Sequence, residues 1–214
     1  MAVAGNDGTV TIRENADLSN VVHTLRDSDE WIEVMAYSPD GSSLAVGSHD
    51  NRVYVYSTDS YTLKGTCKGH SSYIMALDWS KDGAWIRTNC GAYELLFWKT
   101  DDCSQDPSGR SNTTDVAWAT ETVKFGWCVE GIYPKGADGT HINSVSGSHD
   151  GQLLAAGDDY GLVTLFRNPA RRGVVPRAFR GHSEHVTRVL FSADDGYLFS
   201  AGGYDQTVMQ WKRM

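Results

Sequence analysis

The sequence predicts an all-β fold of the β-propeller type, and three observations support this prediction. A polar turn ending in Gly recurs between two apolar runs, and the Gly residues at positions 41, 83, 151 and 196 lie 42, 68 and 45 residues apart. Two of these spacings fit the period of about 40–45 residues that is typical of a four-stranded propeller blade. A second turn, Asp-x-x-Val, leads into an alternating strand that ends in an aromatic residue. The 22 Gly, 10 Tyr and 7 Trp suit short strands joined by tight turns.

The first half of the chain is divided by these signals into a half-blade and two blades. Residues 1–30 form the half-blade, because Asp7 and Val10 match the second turn but the following strand reaches Arg13 instead of an aromatic residue. The blade at about 31–68 contains the alternating segment 52–56, which ends at Tyr56, six positions after Asp50. The blade at about 69–115 contains the largely apolar segment 73–79. Alternation over such short runs predicts half-buried strands.

The second half contains one atypical blade and one regular blade. The blade at about 116–180 has the long spacing, since the aromatic segment from Trp118 to Asn143 follows a hydrophilic loop and precedes its first turn. The blade at about 181–214 runs from Gly181-His182 through Asp205 to Trp211, again with six positions between the last two residues.

This count predicts an open arc of about four to five blades with one atypical extended blade. Propellers usually have 4–8 blades, so we expect a fragment of a longer propeller; a small closed propeller is the alternative. The ends of an arc expose unpaired strand edges. We expect other propeller blades or a partner chain to cover them.

The two Gly-His pairs and the aromatic strand ends resemble the signature of WD repeats. This resemblance implies a hydrogen-bonded network of His, Asp, Ser or Thr, and Trp within a blade. Ala92 and Tyr160 stand at the Asp position of the blades at 69–115 and 116–180, so we expect both to lack the complete network. The residues assigned to these structural networks are His70, Trp98, Asp50, His182, Asp205 and Trp211.

The segment Trp118–Asn143 is similar to the unusual blade of the echinoderm microtubule-associated protein-like (EMAP-like) family. The runs at 148–150, 157–159, 181–187 and 202–211 also resemble the C-terminal end of that family's tandem atypical propellers. The resemblance implies association with microtubules and tubulin, and in some members with axonemes. In this family an N-terminal coiled coil usually supports attachment. This sequence contains no heptad pattern, so we expect it to make only those contacts with tubulin or another protein that the propeller itself provides.

Charge and motifs argue against several other classes of protein. The net charge of −8 disfavours nucleic acid and anionic membranes as partners, and no run approaches about 18 apolar residues. Four Cys without a C-x-x-C pair favour free thiols in the cytoplasm. We predict no enzyme, no cofactor and no metal site. Ser183, His182 and Asp205 could be written as a triad, but no nucleophile-elbow motif supports it, and His141, His149 and Cys128 match no zinc spacing.

Two sets of residues are candidates for partner binding. From Tyr160 to Ser183 the sequence has no Asp or Glu but has five Arg, which could dock on an acidic surface such as that of tubulin because Arg binds carboxylates in a bidentate manner. The alternative is a solvated connecting loop. The aromatic candidates could be interface anchors or could fill the widened blade. The two sets are Arg167, Arg171, Arg172, Arg177 and Arg180, and Trp118, Trp127 and Tyr133.

The sequence therefore predicts a non-catalytic protein-binding scaffold that engages tubulin, microtubules or axonemal proteins. The expected location is the cytoplasm and cytoskeleton, including the axoneme of a cilium or flagellum. The alternative is a generic WD-repeat adaptor in a signalling or ubiquitin-ligase complex, with no role at tubulin. The fold alone does not decide between these functions.

Overall fold

The computed structural model describes residues 1–133 and 141–213, and these residues are almost entirely β-strand, turn and loop. The regular helical segments are α1 (Gly109–Asn112) and a 3₁₀ turn at Glu130–Ile132. The strands are β1 (Ala2–Ala4), β2 (Val10–Arg13), β3 (Val21–Leu25), β4 (Ile32–Tyr37), β5 (Ser43–Ser48), β6 (Arg52–Ser57), β7 (Leu63–Lys68), β8 (Ile74–Trp79), β9 (Trp85–Cys90), β10 (Leu95–Lys99), β11 (Ile142–Gly147), β12 (Leu153–Asp158), β13 (Leu162–Arg167), β14 (Arg177–Arg180), β15 (Val186–Phe191), β16 (Tyr197–Gly202) and β17 (Val208–Lys212).

These strands form five antiparallel sheets in which neighbours in sequence are neighbours in the sheet. We call them blade 1 (β1–β3), blade 2 (β4–β7), blade 3 (β8–β10), blade 4 (β11–β14) and blade 5 (β15–β17). Such meandering sheets of three or four short strands are the units of a propeller. The all-β prediction is confirmed. The chain divides into two compact units between Ala119 and Thr120.

The turn between the first two strands has the same hydrogen bonds in blades 2 to 5. In blade 2 the Ser38 hydroxyl donates to Asp40, at 2.5 Å, and accepts from the N–H of Ser43. The next residue, Gly41, has a φ of 74°, which Gly adopts at little cost. The equivalent serines are Ser80, Ser148 and Ser192, each bonded to an Asp two positions later.

In blade 5 the position of this turn differs from the prediction. The residue at positive φ is Asp195, with φ 55°, and not Gly196. The turn therefore begins at Ser192, one residue earlier than the Gly at position 196 predicts. Asp tolerates the left-handed region better than most residues. Here the Asp195 carboxylate also accepts hydrogen bonds from the backbone N–H groups of His149 and Asp150.

Each unit has its own hydrophobic cores between neighbouring blades. In the first unit, Val53 and Val55 of blade 2 pack with Ile74, Leu77 and Trp98 of blade 3. In the second unit, a smaller core joins blades 4 and 5 through residues such as Ala155, Val163, Val186 and Val189. Most of β9 is buried, and strand β5 is buried throughout. The two faces of β5 pack in different cores, because Ala45 lies in the core shared with blade 3 and Leu44 and Val46 lie in a core shared with blade 1.

Residues 120–133 of the atypical segment form no strand, and they pack on blade 4. Val129 and Ile132 lie in the core of that blade. The Lys124 ammonium is buried and donates to the carbonyl oxygens of Ile142 and Asn143, which fastens the segment to the start of β11. Residues 134–140 of the predicted atypical segment lie outside the described residues.

Candidate protein-interaction surface

A hydrogen-bonded network joins the strands of blade 5. The Ser200 hydroxyl lies 2.7 Å from Nε2 of His182 and accepts a hydrogen bond of 2.8 Å from the indole N–H of Trp211. Nδ1 of His182 lies 2.9 Å from the Asp205 carboxylate. The structure thus brings together the three residues that the sequence assigned to this blade, and Ser200 completes the set.

The triad written from the sequence with Ser183 does not form in this geometry. Both ring nitrogens of His182 are engaged within the blade, and the hydroxyl bonded to Nε2 belongs to Ser200, not to Ser183. Ser183 contacts Asp205 through its backbone N–H at 3.3 Å. A nucleophile needs its hydroxyl within hydrogen-bond reach of the base and open to a substrate. Ser183 does not meet the first condition, and Ser200, which is 1% exposed, does not meet the second, so these residues hold the blade together instead.

Blade 3 contains an equivalent network with a different carboxylate. The Thr88 hydroxyl lies 2.6 Å from Nε2 of His70 and accepts the indole N–H of Trp98 at 2.8 Å. Nδ1 of His70 lies 3.0 Å from the carboxylate of Glu94. The expectation that this blade lacks the complete network is wrong, because the longer side chain of Glu94 replaces the carboxylate missing at Ala92, two positions earlier.

The surroundings of Glu94 favour its charged form. The Cys90 thiol and both the N–H and the hydroxyl of Ser71 donate to its carboxylate, and these hydrogen bonds lower the pKa of Glu94 to about 2. Burial lowers the pKa of His70, so the neutral imidazole can bridge Thr88 and Glu94. Charge-assisted bonds of this kind are stronger than neutral ones.

His70, Cys90 and Glu94 also form the one group of potential metal ligands found in the described part of the chain. Their ligand atoms already take part in the hydrogen bonds given above, and blade 5 has the same arrangement without a cysteine. These three residues therefore form part of a structural network. The His149 ring, from the set considered in the sequence, bonds Asp195 instead.

Blades 2 and 4 do not contain the hydrogen-bonded network of blades 3 and 5. Asp50 accepts hydrogen bonds from the Tyr54 hydroxyl and from the N–H of Arg52, and Ser28 occupies the position that His70 has in blade 3. Asp50 was assigned to the His–Asp–Trp type of network, and the structure does not bring it to a histidine of that type. In blade 4, Ala156 and Phe166 stand where Thr88 and Trp98 stand in blade 3, so these positions offer neither hydroxyl nor indole.

The five arginines of the basic stretch are all exposed. Arg167 ends β13, and Arg177 and Arg180 begin and end β14, the outer strand of blade 4. In the connecting loop, the Arg171 guanidinium lies 5.1 Å from the centroid of the Trp127 ring, and Arg172 lies 3.8 Å from Glu130.

Part of the basic stretch lines a groove in the second unit. This groove has a volume of about 670 Å³ and an apolar floor that includes Leu165, Phe179 and Trp211. Its cationic lining residues are Arg167, Arg177, Lys212 and Arg213, and none of its lining residues is Asp or Glu. The sequence did not indicate the last two cations, because they lie at the end of β17, far along the chain from Arg167.

The three aromatic candidates lie in different environments. Trp127 is 42% exposed. Trp118 is half-buried, with the Arg87 guanidinium 4.3 Å from the centroid of its ring, and Tyr133 is half-buried and donates to the carbonyl of Lys124. Of the three, Trp127 has the exposure expected of an interface anchor.

A further row of surface aromatics was missed by the sequence reasoning. Trp31, His49 and Tyr73 lie together at one end of blades 2 and 3. Trp31 of blade 2 and Tyr73 of blade 3 occupy corresponding positions. The N–H of His49 donates to the carbonyl of Trp31, and the N–H of Gly91 donates to the carbonyl of Tyr73 in the same way. This correspondence is the sequence signal that could have revealed the row.

The sheets and their shared turn and network define the class of protein as a WD-repeat β-propeller. The family model described as the echinoderm microtubule-associated protein second beta-propeller matches residues 1–213. The chain belongs to this family, and the predicted resemblance and fold class are confirmed. A chain in the crystal structure of the mitotic checkpoint complex shares the fold, with a TM-score of 0.60 and 16% identity over 99% of this chain and 60% of that chain.

Two curated relatives illustrate the similarity. The ciliary WD repeat-containing protein ctxp80 of Euplotoides octocarinatus is 56% identical over the whole of this chain, which spans 30% of that relative. Echinoderm microtubule-associated protein-like 2 of Rattus norvegicus is 46% identical over 96% of this chain, which spans 33% of that protein. The chain thus spans about a third of the length of these relatives. Among the described residues, no helix is long and apolar enough to cross a membrane.

Proposed function

We propose that this chain is a non-catalytic scaffold segment that associates with microtubules, tubulin or axonemal proteins. The names of its relatives, microtubule-associated in one case and ciliary in the other, support this proposal. The absence of catalysis is part of the proposal and rests on the structural use of His182 and Asp205. The expected location is the cytoskeleton or the axoneme of a cilium.

The observation that carries the proposal is the basic surface of the second unit. Arg167 and Arg177 line one groove together with Lys212 and Arg213, without any acidic residue. An acidic partner could place carboxylates against these cations and apolar side chains on the groove floor. Guanidinium groups suit this contact because they bind carboxylates in a bidentate manner.

The first test is co-sedimentation with taxane-stabilised microtubules, beside size-exclusion chromatography with soluble tubulin dimer. We expect the chain to bind at moderate salt. The paired change Arg171→Glu and Arg172→Glu, and separately Arg177→Glu with Lys212→Glu, should weaken binding by about tenfold or more, since each replaces attraction with repulsion. All four side chains are exposed, so the variants should remain folded.

The matched control is Lys81→Glu with Arg110→Glu, which changes the net charge equally on exposed positions of the first unit. Binding that survives in the control and is lost in the arginine variants would support the site. Equal affinity of all variants would contradict it. If folded wild-type chain binds neither microtubules nor tubulin, the cytoskeletal proposal fails for this chain, and a generic WD-repeat adaptor becomes the better description.

A further inference from the structure

The surface row of Trp31, His49 and Tyr73 spans two blades of the first unit. The ring centroids of Trp31 and His49 are 5.6 Å apart, and those of His49 and Tyr73 are 4.5 Å apart in a stacked arrangement. Trp31 directly precedes β4, His49 follows β5, and Tyr73 precedes β8. The row therefore lies at one end of the blades, where loops meet, and not on a strand face that another strand covers.

Two of the three rings are exposed to solvent. Trp31 is 53% exposed and Tyr73 36% exposed, and Tyr93, in the second turn of blade 3, is 52% exposed. Trp and Tyr are the residue types most enriched at the energetic centres of protein interfaces. A contiguous set of them on a surface marks a binding site more strongly than single exposed apolar residues do.

The row is held in place before any partner arrives. Nε2 of His49 lies 3.2 Å from the Glu33 carboxylate. The ring of Tyr73 packs over Gly91, where a Cβ atom would come within 2.6 Å of Cε1 of Tyr73. Such preorganisation lowers the entropic cost of binding.

The segment that carries Trp31 and His49 is acidic. No Lys or Arg occurs between Asp27 and Asn51, whereas Asp29, Glu30 and Glu33 surround Trp31 in the sequence. The nearest preceding base, Arg26, lies 3.4 Å from Asp29. This charge is opposite to that of the basic stretch in the second unit.

We propose that the row formed by Trp31, His49 and Tyr73, with the carboxylate of Glu33, binds a basic peptide segment of a partner protein. An arginine or lysine of this segment stacks on the Trp31 ring in a cation–π contact. The carboxylates of Glu33 and Glu30 pair with the same or the next cation. This inference is independent of the proposed contact between the second unit and an acidic surface.

The test uses fluorescence anisotropy with short labelled peptides of alternating glycine and arginine, with matched lysine, glutamate and serine versions, at about 50 mM salt to limit screening. We expect the arginine peptide to bind best, the lysine peptide less well, and the other two not at all. Trp31→Ala should weaken binding of the arginine peptide by about tenfold, which corresponds to about 1.4 kcal/mol, because it removes the ring on which the cation stacks. Glu33→Gln should weaken binding by about threefold, because it removes one carboxylate that pairs with a cation.

Two controls separate this site from general attraction of cations to an acidic protein. Glu14→Gln removes an equal charge at an exposed position outside the row, and Tyr204→Ala removes a tyrosine that is 85% exposed in the second unit. Both should bind the arginine peptide like the wild type. Absence of binding by the wild type, equal binding of the glutamate or serine peptide, or full binding by a folded Trp31→Ala variant would each overturn the proposal.

Discussion

At the level of single residues, Thr88 shows how a blade depends on one hydroxyl. It is fully buried and contacts both the imidazole of His70 and the indole N–H of Trp98. Both partners are themselves buried, so neither can turn to water if the hydroxyl is lost. Ser200 has the same function between His182 and Trp211.

Replacing Thr88 with Val keeps the shape of the side chain and removes the hydroxyl. We expect Thr88→Val to lower the free energy of unfolding by about 2–4 kcal/mol, because two buried polar groups lose their partner. Urea denaturation followed by circular dichroism measures this change. Thr24→Val is the control on an exposed strand position, and a loss as large there would show that the network is not the cause.

Glu94 should make the stability of the wild type depend on pH. Its pKa falls from 4.5 to about 2 in the folded chain, so its contribution is complete above about pH 4.5 and is lost as the pH falls through about 2. We expect Glu94→Gln to destabilise the chain most at neutral pH and progressively less between pH 4.5 and 2. Thermal unfolding of both proteins across this range measures the difference, and a difference that stays constant with pH would contradict the assignment.

These networks show what the sequence could and could not predict at the residue level. His70, Trp98, His182, Asp205 and Trp211 occupy fixed positions of a repeat, so their approach follows from the register of the strands. Glu94 was not predictable from the same pattern, because it lies at a neighbouring position and only the length of its side chain allows it to reach His70. The row at Trp31 was missed because its members come from two blades.

At the level of elements, the turn between the first two strands of blades 2 to 5 is the feature that sequence determines most directly. Ser, Asp and Gly have separate tasks there: a hydroxyl that bonds the backbone, a carboxylate that orders the turn, and a residue that accepts positive φ. In blade 5, Asp195 adopts the positive φ that Gly41 adopts in blade 2. Its carboxylate also accepts hydrogen bonds from the neighbouring blade. For that reason a search for Gly placed the last turn one residue too late.

Two glycines allow the cost of positive φ to be separated from steric conflict. A Cβ at Gly41 would meet no atom within 4 Å, whereas a Cβ at Gly8 would lie 2.0 Å from the carbonyl oxygen of Ser28. Both have positive φ, at 74° and 79°. We expect Gly41→Ala to cost about 1–2 kcal/mol from backbone strain alone and Gly8→Ala to cost more. Chemical denaturation of the two variants tests this order, and equal losses would show that the backbone at Gly8 relaxes freely.

At the level of the whole molecule, charge is distributed unevenly along the chain. The net charge is −8, yet the stretch from Tyr160 to Ser183 contains only basic charged residues, and the segment from Asp27 to Asn51 only acidic ones apart from histidine. The fold class and the basic stretch could be predicted from the sequence, since both depend on residues close together in the chain. The cationic groove could not, because the fold brings Lys212 and Arg213 to Arg167 and Arg177.

This distribution predicts how an acidic partner such as a microtubule should respond to ionic strength. At about 0.01 M salt the Debye length is about 30 Å, so the partner is repelled by the net charge of the whole chain. At about 0.1 M the length is about 10 Å, and the attraction of the nearby arginines outweighs the screened repulsion. At about 1 M both effects are screened.

We therefore expect co-sedimentation of the chain with microtubules to pass through a maximum on the order of 0.05–0.1 M salt, because the long-range repulsion is already screened there while the short-range attraction is not. The Arg171→Glu and Arg172→Glu variant should lose this maximum, because it removes the local attraction and adds to the repulsion. Glu14→Gln, which lowers the negative charge of the first unit, should increase binding at the lowest salt and leave it unchanged near the maximum. A wild-type affinity that falls steadily from the lowest salt upward would show that net charge does not oppose the contact, and that the basic surface alone governs it.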